Sequence, residues 1–503
     1  MVVLNDVNSK YLIQKFFEEH SLTDHHINSF NKFVRISMQR VVDEVGGIVP
    51  DILPIGVRDL KIKFGKIWLE KPVIKEADGS KRKIMPIEAR LRNLTYEAPI
   101  MLEMSVIQGN EERDKQVVHI GEMPIMLKSD NCYLKGMSKD ELIEAGEDPD
   151  DPGGYFIVNG TERVVVIVED LVANKVIVDE EKSGTYPYVA KIFSEDGQYN
   201  ISHAIEKGKD GMIYVSFSKV QKIPFAILMR ALGAQKDQNI IEEVVGSDED
   251  SKFLGDLYIN LYELGDVRKV SDALEYIGKR MGIMMPDKRI ERAEEIIDKF
   301  LLPHIGHSKE ARLLKMHFIA RAVKKLLLVS YGEIKADDKD HYGNKRLKLC
   351  GDLLEVLFRF SFRSLVGDMK YNFERLIKRG KVPNLQSVTR SQFLTSRLRS
   401  ALATGNWVGE REGISQHLER ANFYDTLSGV RRIVSTLTES RENFEARDLH
   451  PTHWGKLCTS ETPEGTSVGL RKNLAITACI STEPEFMEEE IISRLKSMGV
   501  TKK

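Results

Sequence analysis

The run Asp151-Pro-Gly-Gly-Tyr-Phe-Ile-Val-Asn-Gly-Thr-Glu-Arg-Val-Val-Val-Ile-Val-Glu constrains the fold of this chain more than any other. Residues 156–158 and 164–168 are apolar and largely β-branched. Asn159-Gly160 between them is the pair that two-residue hairpin turns favour, because both turn residues need positive φ. A hairpin is expected here. A phosphate-cradling loop is the rival reading of the glycines, but no Gly-Lys-Ser/Thr follows and no helix opens at this point.

On either side of the hairpin the pattern changes repeatedly. In 11–45, Ile13, Phe16, Phe17, Phe30, Phe33, Val34 and Val41 recur near the helical spacing. Residues 57–68 alternate as a strand, Ala77-Asp-Gly-Ser reads as a tight turn, and 101–108 is an extended run. Between 170 and 335, strands (189–193, 212–217) give way to helices (225–232, 272–281, 288–300), and Gly246-Ser-Asp-Glu-Asp-Ser reads as a solvated loop. A long helix carrying Leu353, Leu354, Leu357 and Phe358 is expected over 344–370. Residues 389–404 form an amphipathic helix that Gly405 ends, and a second short helix is expected at 415–420. The fold class is α+β and multidomain, and 503 residues suffice for roughly three domains.

Net charge is −2, and no stretch approaches the ~20 apolar residues of a membrane helix. The N-terminus lacks the basic and apolar regions of a signal peptide. Cys132, Cys350, Cys458 and Cys479 lie far apart without a Cys-x-x-Cys pair, so neither a disulfide framework nor a zinc ribbon is suggested. A cytoplasmic chain with no membrane partner is expected.

Chemistry concentrates near the C-terminal end. Between Lys378 and Lys472 fifteen Lys/Arg face ten Asp/Glu, and eleven of the fifteen are Arg, the residue for planar contact with phosphates and bases. A salt-bridged, solvated surface explains the charge alone. Recurrent glycines (Gly405, Gly409, Gly413, Gly429, Gly455, Gly465, Gly469) point instead to binding loops. Arg390 and Arg397 share the side of their helix opposite Phe393, Leu394, Leu398, Ala401 and Leu402, facing a phosphate backbone or merely water. His450, His453 and Cys458 invite a zinc reading, but the only nearby fourth ligand is Cys479, and Pro451 argues against a ligand-bearing helix. Asp337, Asp338 and Asp340 could hold magnesium for nucleotidyl transfer, or be a solvated loop.

The runs Arg447-Asp-Leu-His-Pro-Thr-His-Trp-Gly and Glu461-Thr-Pro-Glu-Gly-Thr-Ser-Val-Gly-Leu resemble the fork region of the second-largest subunit of multisubunit RNA polymerases. Residues 86–99 and 120–129 resemble the protrusion of that subunit, and length and stopping point resemble its N-terminal half in archaea that split it into two chains. The resemblance implies protrusion at 1–169, lobe at 170–335, a return to protrusion at 336–388, fork at 389–480, and at 481–503 the start of a domain that another chain completes. It implies no catalytic residue and no cofactor in this chain, the Mg2+ of the assembled enzyme being held by aspartates of the largest subunit. It places Arg447 and Glu464 near the incoming nucleotide, on stiff turns, with Arg447 bonding a phosphate, orienting Glu464 or bracing the fork. It also places Gln416 near the RNA–DNA hybrid, and Arg431 and Arg432 near the fork. Implied partners are the C-terminal half of the subunit, the largest-subunit halves, small subunits, template and non-template DNA, nascent RNA, and initiation and elongation factors. Ile491, Ile492, Leu495 and Met498, at helical spacing, are expected to be covered by another chain. A stand-alone nucleotidyltransferase or a nucleic-acid-binding scaffold outside transcription is the alternative.

Overall fold

The computed structural model describes residues 6–53, 59–76, 78–109, 111–180, 185–246, 252–265, 267–379, 384–409, 411–437, 444–482 and 488–500. Ala77 of the expected turn, most of the 246–251 loop and residues 438–443 lie outside them. The architecture is mixed helix and strand, in two units: Met1–Asp170 with Leu347–Lys503, and Leu171–Arg346.

In the first unit the expected helix at 11–45 is divided into Asp6–Glu19, Asp24–Lys32, a π turn at Phe33–Ser37, and Met38–Val45. The break is local and tertiary at once: Asp24 caps Ser21 N at 2.8 Å, and buried Thr23 donates its hydroxyl to Pro152 O at 2.8 Å. An antiparallel sheet follows, in the order Gly47–Ile48, Leu60–Leu69, Glu97–Gln108, Glu111–Pro124. Ile62, Phe64, Ile100, Leu102 and Met104 are buried on its inner face. The 29-residue helix Cys350–Lys378 shares this core, with Phe362 edge-on to Phe64 at 5.7 Å. The helix Ser391–Thr404 buries the predicted Leu394, Leu398, Ala401 and Leu402, and ends at Gly405 with φ 80°.

The hairpin forms with Phe156–Val158 paired to Thr161–Val165, and Asn159 (φ 51°) and Gly160 (φ 74°) make the turn. The expected second strand at 164–168 is divided between two sheets. Val166 N bonds Ile414 O, and beyond it Ile167–Leu171 leaves the hairpin to run parallel to Arg432–Ser435. One stretch of chain thus carries a hairpin sheet and, next to it, the sheet of the C-terminal segment.

The second unit is a five-stranded antiparallel meander, Ile177–Glu180 through Val220–Pro224, with six helices from Phe225–Ala231 to Ala311–Ser330 among its described residues. Lys315 is fully buried and donates to the carbonyls of Ile297 (3.0 Å) and Asp298 (2.8 Å), and burial pushes its pKa down to about 8. The carboxylates of the 337–340 cluster have separate duties. Asp337 accepts from Val178 N and Lys325, Asp338 caps the amides of Asp340 and His341, and Asp340 pairs with Lys345.

Buried histidines make both units sensitive to acid. His203 accepts from Leu302 N at 3.0 Å through Nε2, which fixes a neutral ring whose Nδ1–H faces Ile201 O. His26 donates from Nε2 to Val430 O at 2.7 Å, and His25 lies against the same carbonyl. Burial lowers the pKa of His26 and His203 from 6.5 to about 4. A histidine held below its unfolded pKa binds its proton more readily when unfolded, so stability is complete above about 6.5 and is lost as pH falls toward 4. Denaturation of the chain at pH 7 and pH 5 should differ by on the order of 2 kcal/mol for each such histidine. His203→Asn should lower stability at pH 7 but flatten the slope.

Candidate nucleic-acid interface

The C-terminal segment is built on a small sheet in which Arg432–Ser435 lies between Ile167–Leu171, parallel, and Arg471–Asn473, antiparallel. Across it the buried Lys472 ammonium meets the buried Glu169 carboxylate at 3.1 and 3.3 Å. Arg431, just before the strand, is also buried. Its guanidinium donates to the carbonyls of Leu22 (2.8 Å), Ala475 (2.7 Å) and Ile476 (3.3 Å), and burial lowers its pKa. Three carbonyls from opposite ends of the sequence therefore close on one side chain. Arg432 has the other environment: it is half-buried, and among the described residues nothing bonds its guanidinium. Adjacent in sequence, the two arginines are not equivalent in the fold.

From this sheet projects the loop 461–471. Its neck is closed by one hydroxyl: Thr462 Oγ1 accepts from Gly469 N at 2.9 Å and donates to Arg471 O at 3.0 Å. Arg447, at the end of the 3-10 turn Glu445–Arg447, reaches in and donates to the carbonyls of Thr466 (2.6 Å) and Val468 (2.8 Å). The approach is so close that a Cβ on Gly469 (φ 72°) would stand 2.3 Å from the Arg447 carbonyl oxygen, so only glycine fits. Glu464 stands exposed at the loop's tip, ahead of the 3-10 turn Gly465–Ser467. Arg447 and Glu464 form no ion pair; Arg447 holds the Glu464 turn by its backbone. The outcome is a rigid mount presenting a carboxylate to solvent.

Other predicted residues lie elsewhere on the unit. Gln416 is in a strand, Ser415–His417, paired with Thr161–Val165, and its amide donates to Gly413 O at 3.0 Å. The expected second helix at 415–420 is corrected accordingly, since the free edge of the hairpin captures this backbone. Arg390 bonds Asn372 at 2.7 Å and pairs with Asp368 at 3.5 Å. Arg397 lies over the rings of Phe360 (5.4 Å) and Phe393 (4.7 Å). Both arginines therefore contact the helix Cys350–Lys378. His450 accepts from Thr452 N and caps the turn Pro451–His453, and His453 is buried. Among the described residues no group of three or more His, Cys, Asp or Glu side chains is placed to hold a metal ion.

Sequence reasoning missed Thr462 and the Glu169–Lys472 pair, and named Gly469 only as one of several recurrent glycines. The ion pair joins residues 303 positions apart, and Thr462 closes a loop at which only the Thr-Pro-Glu-Gly string hinted. Arg431→Met should leave three buried carbonyls without their donor and lower the stability of the chain by about 3 kcal/mol in urea denaturation. Arg432→Ala should change it by less than about 0.5 kcal/mol.

The sequence matches the family described as RNA polymerase beta subunit over residues 21–396, and that described as RNA polymerase Rpb2, domain 3, over residues 416–480. It is 45% identical over 499 residues to a protein named DNA-directed RNA polymerase subunit Rpo2N from Methanocaldococcus jannaschii, covering 97% of this chain and 98% of that one. A Halobacterium salinarum protein of the same name is 41% identical, covering 98% of this chain and 96% of its own. The DNA-directed RNA polymerase subunit Rpo2 of Saccharolobus solfataricus is 45% identical over 97% of this chain and 43% of its own greater length.

Proposed function

Because the chain belongs to the RNA polymerase beta subunit family, we propose that it lines the nucleic-acid path and shapes the active centre of a DNA-directed RNA polymerase. As a subunit of that nucleotidyltransferase it takes part in transcription. In this reading the first unit corresponds to protrusion and fork and the second to the lobe. The lobe flanks downstream DNA, and the fork flanks the RNA–DNA hybrid. Arg432 and Gln416 face nucleic acid, while Arg431, Arg390 and Arg397 hold the elements that present them. In this reading the magnesium of the reaction is held by another subunit. Other subunits cover the exposed apolar side of the helix Glu488–Ser497, where Met498 is 79% exposed. No described helix is long and apolar enough to cross a membrane, and a cytoplasmic complex is part of the proposal.

One observation carries the mechanism: the exposed Glu464 carboxylate sits on a turn that Arg447, Thr462 and Gly469 hold rigid without pairing Glu464 itself. A carboxylate mounted in this way is free to accept hydrogen bonds from a substrate or a neighbouring cation. Its placement costs nothing at the moment of reaction. Arg447 then acts by fixing the turn through the carbonyls of Thr466 and Val468.

In the assembled polymerase, Glu464→Ala and Arg447→Ala should each slow single-nucleotide addition tenfold or more, a loss of about 1.4 kcal/mol. The double variant should be little worse than either, since both changes remove one device. Arg447→Lys should recover part of the rate, because an ammonium offers the two carbonyls a charged donor without the fixed direction of the planar guanidinium. A Glu464→Ala enzyme that adds nucleotides at the parental rate would refute the assignment.

A further inference from the structure

Most arginines near the hairpin have carboxylate partners. Arg90 meets Glu147 at 2.7 Å and Glu162 at 2.8 Å, Arg420 meets Asp151 and Glu162, and Arg411 meets Asp170. Arg163 is the exception. It lies on the hairpin strand Thr161–Val165, half-buried, and its Nε is fully buried with no hydrogen-bond partner. The adjacent Glu162 is taken by Arg90 and Arg420, and strand alternation turns it to the opposite face. Burial alone lowers the pKa of Arg163, and no carboxylate counteracts it. Leaving a guanidinium partly desolvated and unpaired costs free energy that an incoming anion would recover.

The register shows what surrounds it. Phe156 is its cross-strand neighbour on one side and His417 on the other, so Arg163 emerges between a buried ring and an exposed imidazole. His417 follows Gln416 on the same short strand. Arg163 therefore has a planar donor fork, an apolar wall beside its stem, and the imidazole of His417 beside it on the next strand. We propose that Arg163 and His417 form a phosphate-binding site, and that its ligand is a phosphodiester of the nucleic acid passing this sheet. The proposal rests on the reading of the chain as a lining of the nucleic-acid path, and adds to it a contact that sequence alone did not single out.

The test uses the assembled polymerase halted on an RNA–DNA scaffold, with half-life measured across a potassium chloride series. Arg163→Gln should shorten the half-life about tenfold, as for loss of one charged hydrogen-bonded contact. It should also reduce the log–log salt slope by about one, the mark of one lost phosphate contact. Arg163→Lys should keep the slope while losing part of the half-life. The Gln chain should melt no lower than the parent, since an uncompensated buried charge has been removed. A methylphosphonate linkage scanned through the template strand, or through the RNA with a 2′-deoxy residue, should abolish the difference between parent and variant at one position and so name the strand. An unchanged half-life and slope would overturn the proposal. So would poor assembly with normal stability of the assembled fraction, which would assign Arg163 to a carboxylate of another subunit. If Glu464→Ala still slows addition while Arg163→Gln is silent, only the Arg163 site fails. If both are silent, the reading beneath it fails too.

Discussion

The first unit depends on the parallel pairing of Ile167–Leu171 with Arg432–Ser435, closed by the buried ion pair of Glu169 and Lys472. These strands are separated by more than half of the chain, and their pairing joins the C-terminal segment to the strand that continues the hairpin. Removing one partner from a buried pair typically costs about 3–5 kcal/mol, because the other charge is left without compensation. Arg431 adds a second tie, fastening the same region to Leu22, Ala475 and Ile476. Charges here are spent on holding the frame, and the side chains left for solvent or ligand, Glu464, Arg432 and Arg163, stand out against that background.

How much of this could be read in the sequence follows from the range of the forces involved. Asn159-Gly160 declared the hairpin because the turn is decided by two residues and their φ angles. The helix Ser391–Thr404 was legible because its apolar face repeats within one element and Gly405 marks its end. The strand Ser415–His417 was not, since three residues carry no period and the pairing is imposed by a strand some 250 residues earlier. Thr23 breaks a helical pattern by bonding Pro152, again a partner out of local reach.

The candidate site divides along the same line. Arg447 and Glu464 were legible through the strings around them, but the relation between them was not. In place of an ion pair, the structure has a guanidinium gripping the two carbonyls that shape the turn. Arg431 and Arg432 looked alike as a dipeptide, and only the fold separates them, closing three carbonyls on Arg431 and leaving Arg432 half-buried.

The claim at the centre of this account is that the turn carrying Glu464 stands at the growing end of RNA. The most direct measurement is photocrosslinking in the assembled, halted polymerase from a 4-thiouridine at the RNA 3′ end, followed by peptide mapping. The account predicts label on this chain within residues 444–471. Label confined to residues 171–346, or absent from this chain in complexes that still extend their RNA, would contradict it.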